Sequence, residues 1–295
     1  MAITAQMVKQ LREHTGAGMM ECKKALQEAD GNTNAAIEVL RKRGLAQADR
    51  KAGRTAAEGA IVITLSNDRT QGAMVEVNCE TDFVAADPHF KAFTQRVALQ
   101  ILEQAPADLA TLMGLALEGE SEDTVESVQK SLIARLGENI QIRRFVRYQS
   151  DTGLISSYLH GSRIGVLLEM EGGDAKLARD VCMHIAASRP LCLDQAAVPA
   201  DVLEKEREIL TAQAQSSGKP AQIVDKMVAG RLDKWLGEIT LLGQPFVKDS
   251  EQSVGALLDR ANARVLRFSR HEVGEGIEKK QTNFAEEVEA QVKGS

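Results

Sequence analysis

The spacing of apolar residues changes from one period to another near residue 60, and that switch limits the fold more than any other feature of the chain. Before it, Met7, Val8 and Leu11, then Met19, Cys22, Ala25, Leu26 and Ala29, then Ile37 and Leu40 recur at helical intervals. After it, Ala60 to Leu65 and Ala73 to Cys79 are apolar, β-branched runs around the turn Ser66-Asn67-Asp68-Arg69, which reads as a β-hairpin. A chain with both periods in separate blocks belongs to the α+β class, with an all-helical piece ahead of its sheets.

Within that first piece, Thr4 is expected to cap a first helix and Thr15-Gly16-Ala17-Gly18 to break it. Gly31 stops a second helix, and Thr33 or Asn34 caps a third. A three-helix module this small is marginal alone, because its surface is large for its volume, so it should gain stability or purpose from a partner. Arg41-Lys42-Arg43-Gly44 and then Arg50, Lys51 and Arg54 lie among alanines, which reads as an exposed helical linker with a basic, solvated face.

Beyond the segment Thr81-Asp82-Phe83-Val84, Asp87-Pro88 supplies the cap and first residue of a helix whose Phe90, Phe93, Val97 and Ile101 share a face. Residues 106–123 are acidic and read as a loosely packed helix and loop. Asp123 with Glu126 resembles a capping box for a helix bearing Val125, Val128, Leu132 and Leu136 and closed by Gly137. Strand spacing resumes at Ile140, Ile142 and Val146, and a second hairpin turns near His160-Gly161. The helix of Leu177, Val181, His184 and Ile185 follows, so strand, turn, strand, helix occurs twice and suggests a duplicated unit. Residues 199–241 are helical except at Ser217-Gly218-Lys219-Pro220, where the chain should reverse into a projecting antiparallel helix pair. Alternation from Val265 to Val273 predicts a returning strand, ended by Gly274-Glu275-Gly276, with a tail helix from Asn283 through Val292. The expected divisions are 1–54, 55–139, 140–280 and 281–295.

The chemistry is notable for what is missing. A formal charge of -6 argues against broad attraction to nucleic acid. Cys22, Cys79, Cys182 and Cys192 form no C-x-x-C pair, and no His/Cys grouping has the spacing of metal ligands, so neither metal nor cofactor is expected. Thr15-Gly16-Ala17-Gly18 lacks the Gly-Lys-Ser/Thr ending of a phosphate loop, and Gly218-Lys219 is followed by Pro220, so direct nucleotide binding is not expected. No nucleophile elbow or zinc helix is present, and His184 on an apolar face reads as a core histidine, so the chain is not expected to be an enzyme. With no apolar signal core and no span long enough for a membrane, it reads as soluble and cytoplasmic. With one Trp, two Tyr and seven Phe in the chain, any exposed ring is conspicuous. Phe83, just past a strand, either protrudes or folds back over its own sheet, and Asp82 beside it has the character of a turn or cap residue.

Four ordered blocks add a family resemblance. The run Leu11 to Leu26, with Arg12, Thr15-Gly16-Ala17-Gly18, Met19 and Met20, resembles the N-terminal signature of the elongation factor Ts family. Glu76 to Ala85 is similar to that family's core motif, and His160 to Gly165 and His271 to Gly276 resemble its later blocks. The resemblance implies a ubiquitin-associated-like three-helix module, a duplicated α+β core with antiparallel sheets, an inserted helical hairpin and a C-terminal helix. It implies as partner the GDP-bound elongation factor Tu, gripped by Leu11, Arg12, Met19 and Met20. Thr81, Asp82, Phe83 and Val84 would push into that partner and dislodge its magnesium, and His160 would touch another of its domains. The helical hairpin at 199–241 offers a surface for self-association. A helical adaptor without exchange activity is the rival reading, and an RNA-associated protein using residues 41–54 is a third.

Overall fold

The computed structural model describes residues 3–117, 123–216 and 220–278. The reversal expected at 217–219, the tail helix expected at 283–292 and part of the acidic stretch lie outside the described residues.

Helices α1 (Ala5–Thr15), α2 (Met19–Glu28) and α3 (Thr33–Lys51) form the N-terminal module. Thr4 caps α1 by accepting a 3.2 Å bond from the Met7 N–H, and Gly16, at φ 68°, ends it in the left-handed conformation that lacks a Cβ penalty. Asn32, one residue earlier than expected, caps α3 by accepting from the Ala35 N–H at 3.1 Å. The left-handed Gly31 turns the chain there, so Asn32 is the first residue in extended backbone and takes the cap that Thr33 or Asn34 would otherwise fill. Val8, Leu11, Cys22, Ala25, Leu26 and Ala36 make the module's own buried core. The basic stretch continues α3, as read from the sequence, but its Arg41 pairs with Asp123 and its Arg43 with Glu28.

Strands β1 (Glu58–Leu65) and β2 (Gln71–Cys79) are the first hairpin, followed by α4 (Asp82–Ala86), α5 (Pro88–Gln104), α6 (Leu109–Gly114) and α7 (Val125–Leu136). Asp87 caps α5 and Pro88 opens it, and Phe90, Phe93, Val97 and Ile101 are buried on one face. The cap of α7 is Thr124, whose hydroxyl accepts from the Ser127 N–H at 3.2 Å, not Asp123. The Asp123 carboxylate is occupied instead by Arg41 and by the Ser127 hydroxyl. Strand β3 (Ile140–Gln149) lies beside β2 in a sheet of order β1-β2-β3.

Strands β4 (Leu154–His160) and β5 (Ile164–Glu171) pair antiparallel, with His160 opposite Ile164 and the turn at residues 161–163. They are followed by α8 (Ala175–Ser188), α9 (Ala200–Gln215) and α10 (Ala221–Ile239), and α9 and α10 pack on each other. Next come β6 (Pro245–Phe246), β7 (Asp249–Ser253), α11 (Val254–Arg260) and β8 (Arg264–Glu272), and β8 joins the second sheet in the order β4-β5-β8. Val166, Leu168 and Met170 of β5 meet Val181, Cys182 and Ile185 of α8 and Val265 of β8 in one apolar core. His184 is fully buried. Its Nε2 lies 2.9 Å from Gln244 Oε1, and its Nδ1 accepts from the Val247 N–H at 3.2 Å, so one neutral tautomer satisfies both bonds. Burial holds its pKa below the ordinary histidine value against the opposing pull of Gln244, as suits a core histidine.

Two compact units result: one of residues up to 62, 75–145 and from 272 onward, the other of 63–74 and 146–271. The fold is mixed α+β, with N-terminal helices and several small antiparallel sheets.

Candidate functional site

The segment Thr81–Val84 is built as a short platform. Thr81 is extended, at φ -127° and ψ 158°, and its hydroxyl accepts from the Val84 N–H at 3.3 Å, which starts α4. Six residues after Thr81, Asp87 ends that helix and caps the next, its carboxylate accepting from the His89 N–H at 2.7 Å and the Phe90 N–H at 3.4 Å. An isolated single-turn helix is unstable in water, so the platform depends on what holds its two ends.

Glu138 supplies the hold at the front. Its carboxylate accepts from the Thr81 hydroxyl at 2.7 Å, the Thr81 N–H at 2.9 Å and the Glu80 N–H at 3.1 Å. Glu80 returns the clasp by accepting from the Asn139 N–H at 2.6 Å. Bonds to an ionised acceptor are the stronger kind, and three converging on one carboxylate fix the start of the helix. Below it, the buried Cys79 thiol donates to the Thr81 carbonyl at 3.1 Å. Burial, together with Glu138 and Glu58, pushes that thiol up to about 12, so it is inert as a nucleophile at neutral pH.

Val84 is 8% exposed and Phe83, next to it, is 83% exposed, which decides between the two readings that spacing left open. The apolar anchoring of α4 falls on Val84, and the ring projects into solvent. Asp82 is exposed beside it. The sequence reading did not single out Glu138, which follows the helix-closing Gly137; an acidic side chain just ahead of a strand was the local signal.

In the N-terminal module, Arg12, Met19 and Met20 are exposed, with Met19 at 45% and Met20 at 64%. Leu11 is a correction. It is fully buried among Val8, Cys22 and Leu26, so it fixes α1 against α2 and presents no side chain at the surface. His160 is exposed at the end of β4, with its Nδ1 3.3 Å from the Tyr158 hydroxyl and the exposed Leu159 adjacent. Thus Arg12, Met19 and Met20 share the module, Thr81 caps the α4 that carries Asp82 to Val84, and His160 stands on the second sheet. Among the described residues no three His, Cys, Asp or Glu side chains are grouped to hold a metal, and no helix is long and apolar enough to cross a membrane.

The pattern of the family described as Elongation factor TS matches residues 80–275. A protein of Thioalkalivibrio sulfidiphilus named Elongation factor Ts is 61% identical over 296 residues, covering 100% of both chains. Proteins of the same name from Methylococcus capsulatus and Legionella pneumophila are 59% and 52% identical, covering 100% and 99% of both chains. The chain belongs to the elongation factor Ts family. Members of the elongation factor Ts family act in translation elongation as exchange factors and are not enzymes.

Two of the four blocks that resemble elongation factor Ts meet at Glu76, a carboxylate with no exposure to solvent. It accepts from the Gly274 N–H at 2.9 Å, from Arg143 at 3.0 Å and from Arg144 at 2.6 Å. Burial alone would raise its pKa, but the Gly274 N–H, Arg144 and Arg143 outweigh burial and hold it below the ordinary carboxyl value. Gly274, at φ 73°, leaves no room for a side chain: a Cβ placed there would lie 2.3 Å from the Ala57 carbonyl oxygen. Only glycine allows this backbone to approach Glu76.

Proposed function

We propose that this chain is the guanine-nucleotide exchange factor for elongation factor Tu, and that it promotes GDP release by driving Phe83 into its partner. The observation that carries the reading is an exposed aromatic ring on a helix too short to stand alone yet clamped at both ends. A ring that must deform a partner has to be rigidly backed, since a mobile one would yield first. Full membership of the family supports elongation factor Tu as the partner.

The energetics follow from linkage. Factor and nucleotide weaken each other's binding through the partner by one shared coupling free energy. Accelerating release by ~10³ to 10⁴ requires lowering the barrier by ~4 to 5.5 kcal/mol. Burying Phe83 contributes roughly 1.5 to 3 kcal/mol, so the ring alone falls short. Met19 and Met20 supply remote binding energy that offsets the distortion, because flexible thioethers adapt to an apolar groove. Displacing the partner's magnesium exposes phosphate charge that the ion had neutralised, which accounts for much of the remainder. In this scheme Asp82 faces the partner beside Phe83, Thr81 and Val84 hold the platform, Arg12 flanks the methionines, and His160 engages a second partner domain. The order β1, β2, α5 and then β4, β5, α8 fits a duplicated core, and α1 to α3 fit a ubiquitin-associated-like module.

Two variants separate the parts. Met20→Ala should weaken the complex with elongation factor Tu by roughly 5- to 30-fold, the equivalent of about 1 to 2 kcal/mol of lost apolar burial, with little change in the exchange rate at saturation. Calorimetric titration reads this, and unaltered affinity would remove the module from the scheme. Glu138→Gln replaces a charged acceptor by a neutral one under Thr81 and should lower saturated exchange by about tenfold, with affinity nearly kept. The deciding assay follows release of fluorescent GDP from elongation factor Tu against unlabelled GDP. Acceleration by substoichiometric amounts of this chain is expected, and binding without acceleration would make it an adaptor instead.

A further inference from the structure

Outside the segments discussed so far, the second unit holds a cavity of about 410 Å³ lined by Leu65, Arg69, Ser156, Ser157, Lys176 and Arg179, among others. No lining residue is acidic. In a chain with 42 acidic and 36 basic residues, three cations converging without a carboxylate is a departure from the surrounding surface. Among the described residues none of these three side chains has an ion-pair partner. The acids nearest in sequence are engaged elsewhere. Asp68 accepts from the Ser66 and Thr70 hydroxyls, Asp174 caps α8 through the Leu177 N–H, and Asp180 pairs with Lys248.

The fold brings these groups together through the approach of the β1–β2 turn to β4. Gly72 lets the first hairpin approach the second sheet, since a Cβ there would lie 2.7 Å from Ile155 Cγ2 and 2.8 Å from Leu65 Cδ2. The β1–β2 turn is then pinned: the Thr70 carbonyl accepts from the Ser150 N–H at 2.9 Å and the Arg69 carbonyl from the Ile155 N–H at 2.8 Å. Arg69 sits at φ 57°, a conformation that a residue with a side chain rarely adopts. β4 is an edge strand of its sheet. Because the Ile155 N–H points off that edge, and strand groups repeat every second residue, the Ser157 N–H points off the same edge.

We propose that this cavity binds a phosphorylated small molecule through a terminal phosphoryl group held by Arg69, Lys176, Arg179 and the Ser157 N–H. Two guanidinium groups, an ammonium and a backbone donor offer more hydrogen bonds than the two oxygens of a carboxylate can accept, whereas a phosphoryl group presents three oxygens. The volume lies within the roughly 300 to 1,000 Å³ of small-molecule sites. Asp174 already occupies the start of α8, so the helix end adds little and the cations supply the attraction.

The full chain, isotopically labelled and without elongation factor Tu, is titrated with pyrophosphate at low ionic strength while backbone amide shifts are followed. Saturable shifts confined to Arg69, Thr70, Ser157, Lys176 and Arg179 are expected, with half-saturation on the order of 1 mM or below and weakening as salt is added. The double variant Lys176→Gln with Arg179→Gln should bind at least about tenfold more weakly, and Arg69→Gly, which suits the left-handed backbone, should weaken binding while keeping the turn. All three side chains are exposed, so unchanged thermal unfolding is expected of each variant. Parallel titrations use hexaglutamate as a carboxylate source and a short uridine oligonucleotide as a phosphodiester polymer. The proposal is overturned by the absence of saturable shifts, by equal affinity in the double variant, or by tighter binding of either polymer than of pyrophosphate. None of these results depends on exchange activity, so the test stands apart from that of the proposed function.

Discussion

Replacing Phe83 with alanine is expected to slow stimulated GDP release from elongation factor Tu by roughly 10- to 150-fold, the rate equivalent of the 1.5 to 3 kcal/mol that burying the ring contributes. The free protein should be almost unchanged. With 83% of the residue exposed, the ring contributes little to its own fold, and surface substitutions of this kind usually stay within about 0.5 kcal/mol. The platform beneath it also survives, because Thr81, Val84 and Glu138 are untouched. Stopped-flow release of fluorescent GDP, with thermal unfolding of the variant as control, reads both sides of this prediction. Unaltered release with normal folding would discredit the ring as a lever. A slower rate accompanied by a lower melting temperature would instead point to a structural role that the geometry does not support.

The largest loss of stability is expected at Glu76. Glu76→Ala leaves Arg143, Arg144 and the Gly274 N–H without their shared acceptor. Breaking a buried ion pair by removing one partner typically costs about 3 to 5 kcal/mol. Both arginines are about a third exposed or less, and both also bond Glu275, so the lower end of that range applies. Even so, that is a large share of the roughly 5 to 15 kcal/mol that holds most domains folded. The same group sets a pH dependence. A carboxyl held below its ordinary pKa of 4.5 stabilises the fold fully above that value and loses this contribution as pH falls through its lowered, folded-state pKa. Denaturant unfolding should therefore show stability falling in the acid range for the natural chain and a flatter profile for Glu76→Gln. A midpoint at neutral pH that does not move on either substitution would mean that the cluster contributes nothing net.

Features written in neighbouring residues were legible in the sequence. Thr4, the Asp87-Pro88 pair and Gly137 each act within one helical turn, so their chemistry appears in order along the chain. Capping was misplaced by a residue at Asn32 and Thr124, where two adjacent side chains could each accept and backbone conformation chose between them. What stayed hidden was long-range pairing. Glu138 reaches Thr81 across 57 residues, and Gly274 reaches Glu76 across 198. Pairing of β3 with β2 is hidden for the same reason: an alternating strand records which of its faces is buried but not which strand lies beside it. Leu11 shows a different limit. A family signature mixes residues that build the module with residues displayed on it, and only burial separates Leu11 from Met20. Phe83 was ambiguous because an aromatic just past a strand suits a sheet cover as well as a probe, and its neighbour Val84 took the buried place.

The closing of Glu76 by Gly274 has a consequence for how the protein is made. Synthesis delivers residues in order, so β2 emerges with its carboxylate long before the backbone amide that completes its shell. During that interval Arg143 and Arg144 can already hold the Glu76 carboxylate, and what is missing is the backbone donor that closes its shell, which arrives only after β8 has been made. The shell of this one carboxylate is thus finished only after the strands of the second unit have been synthesised.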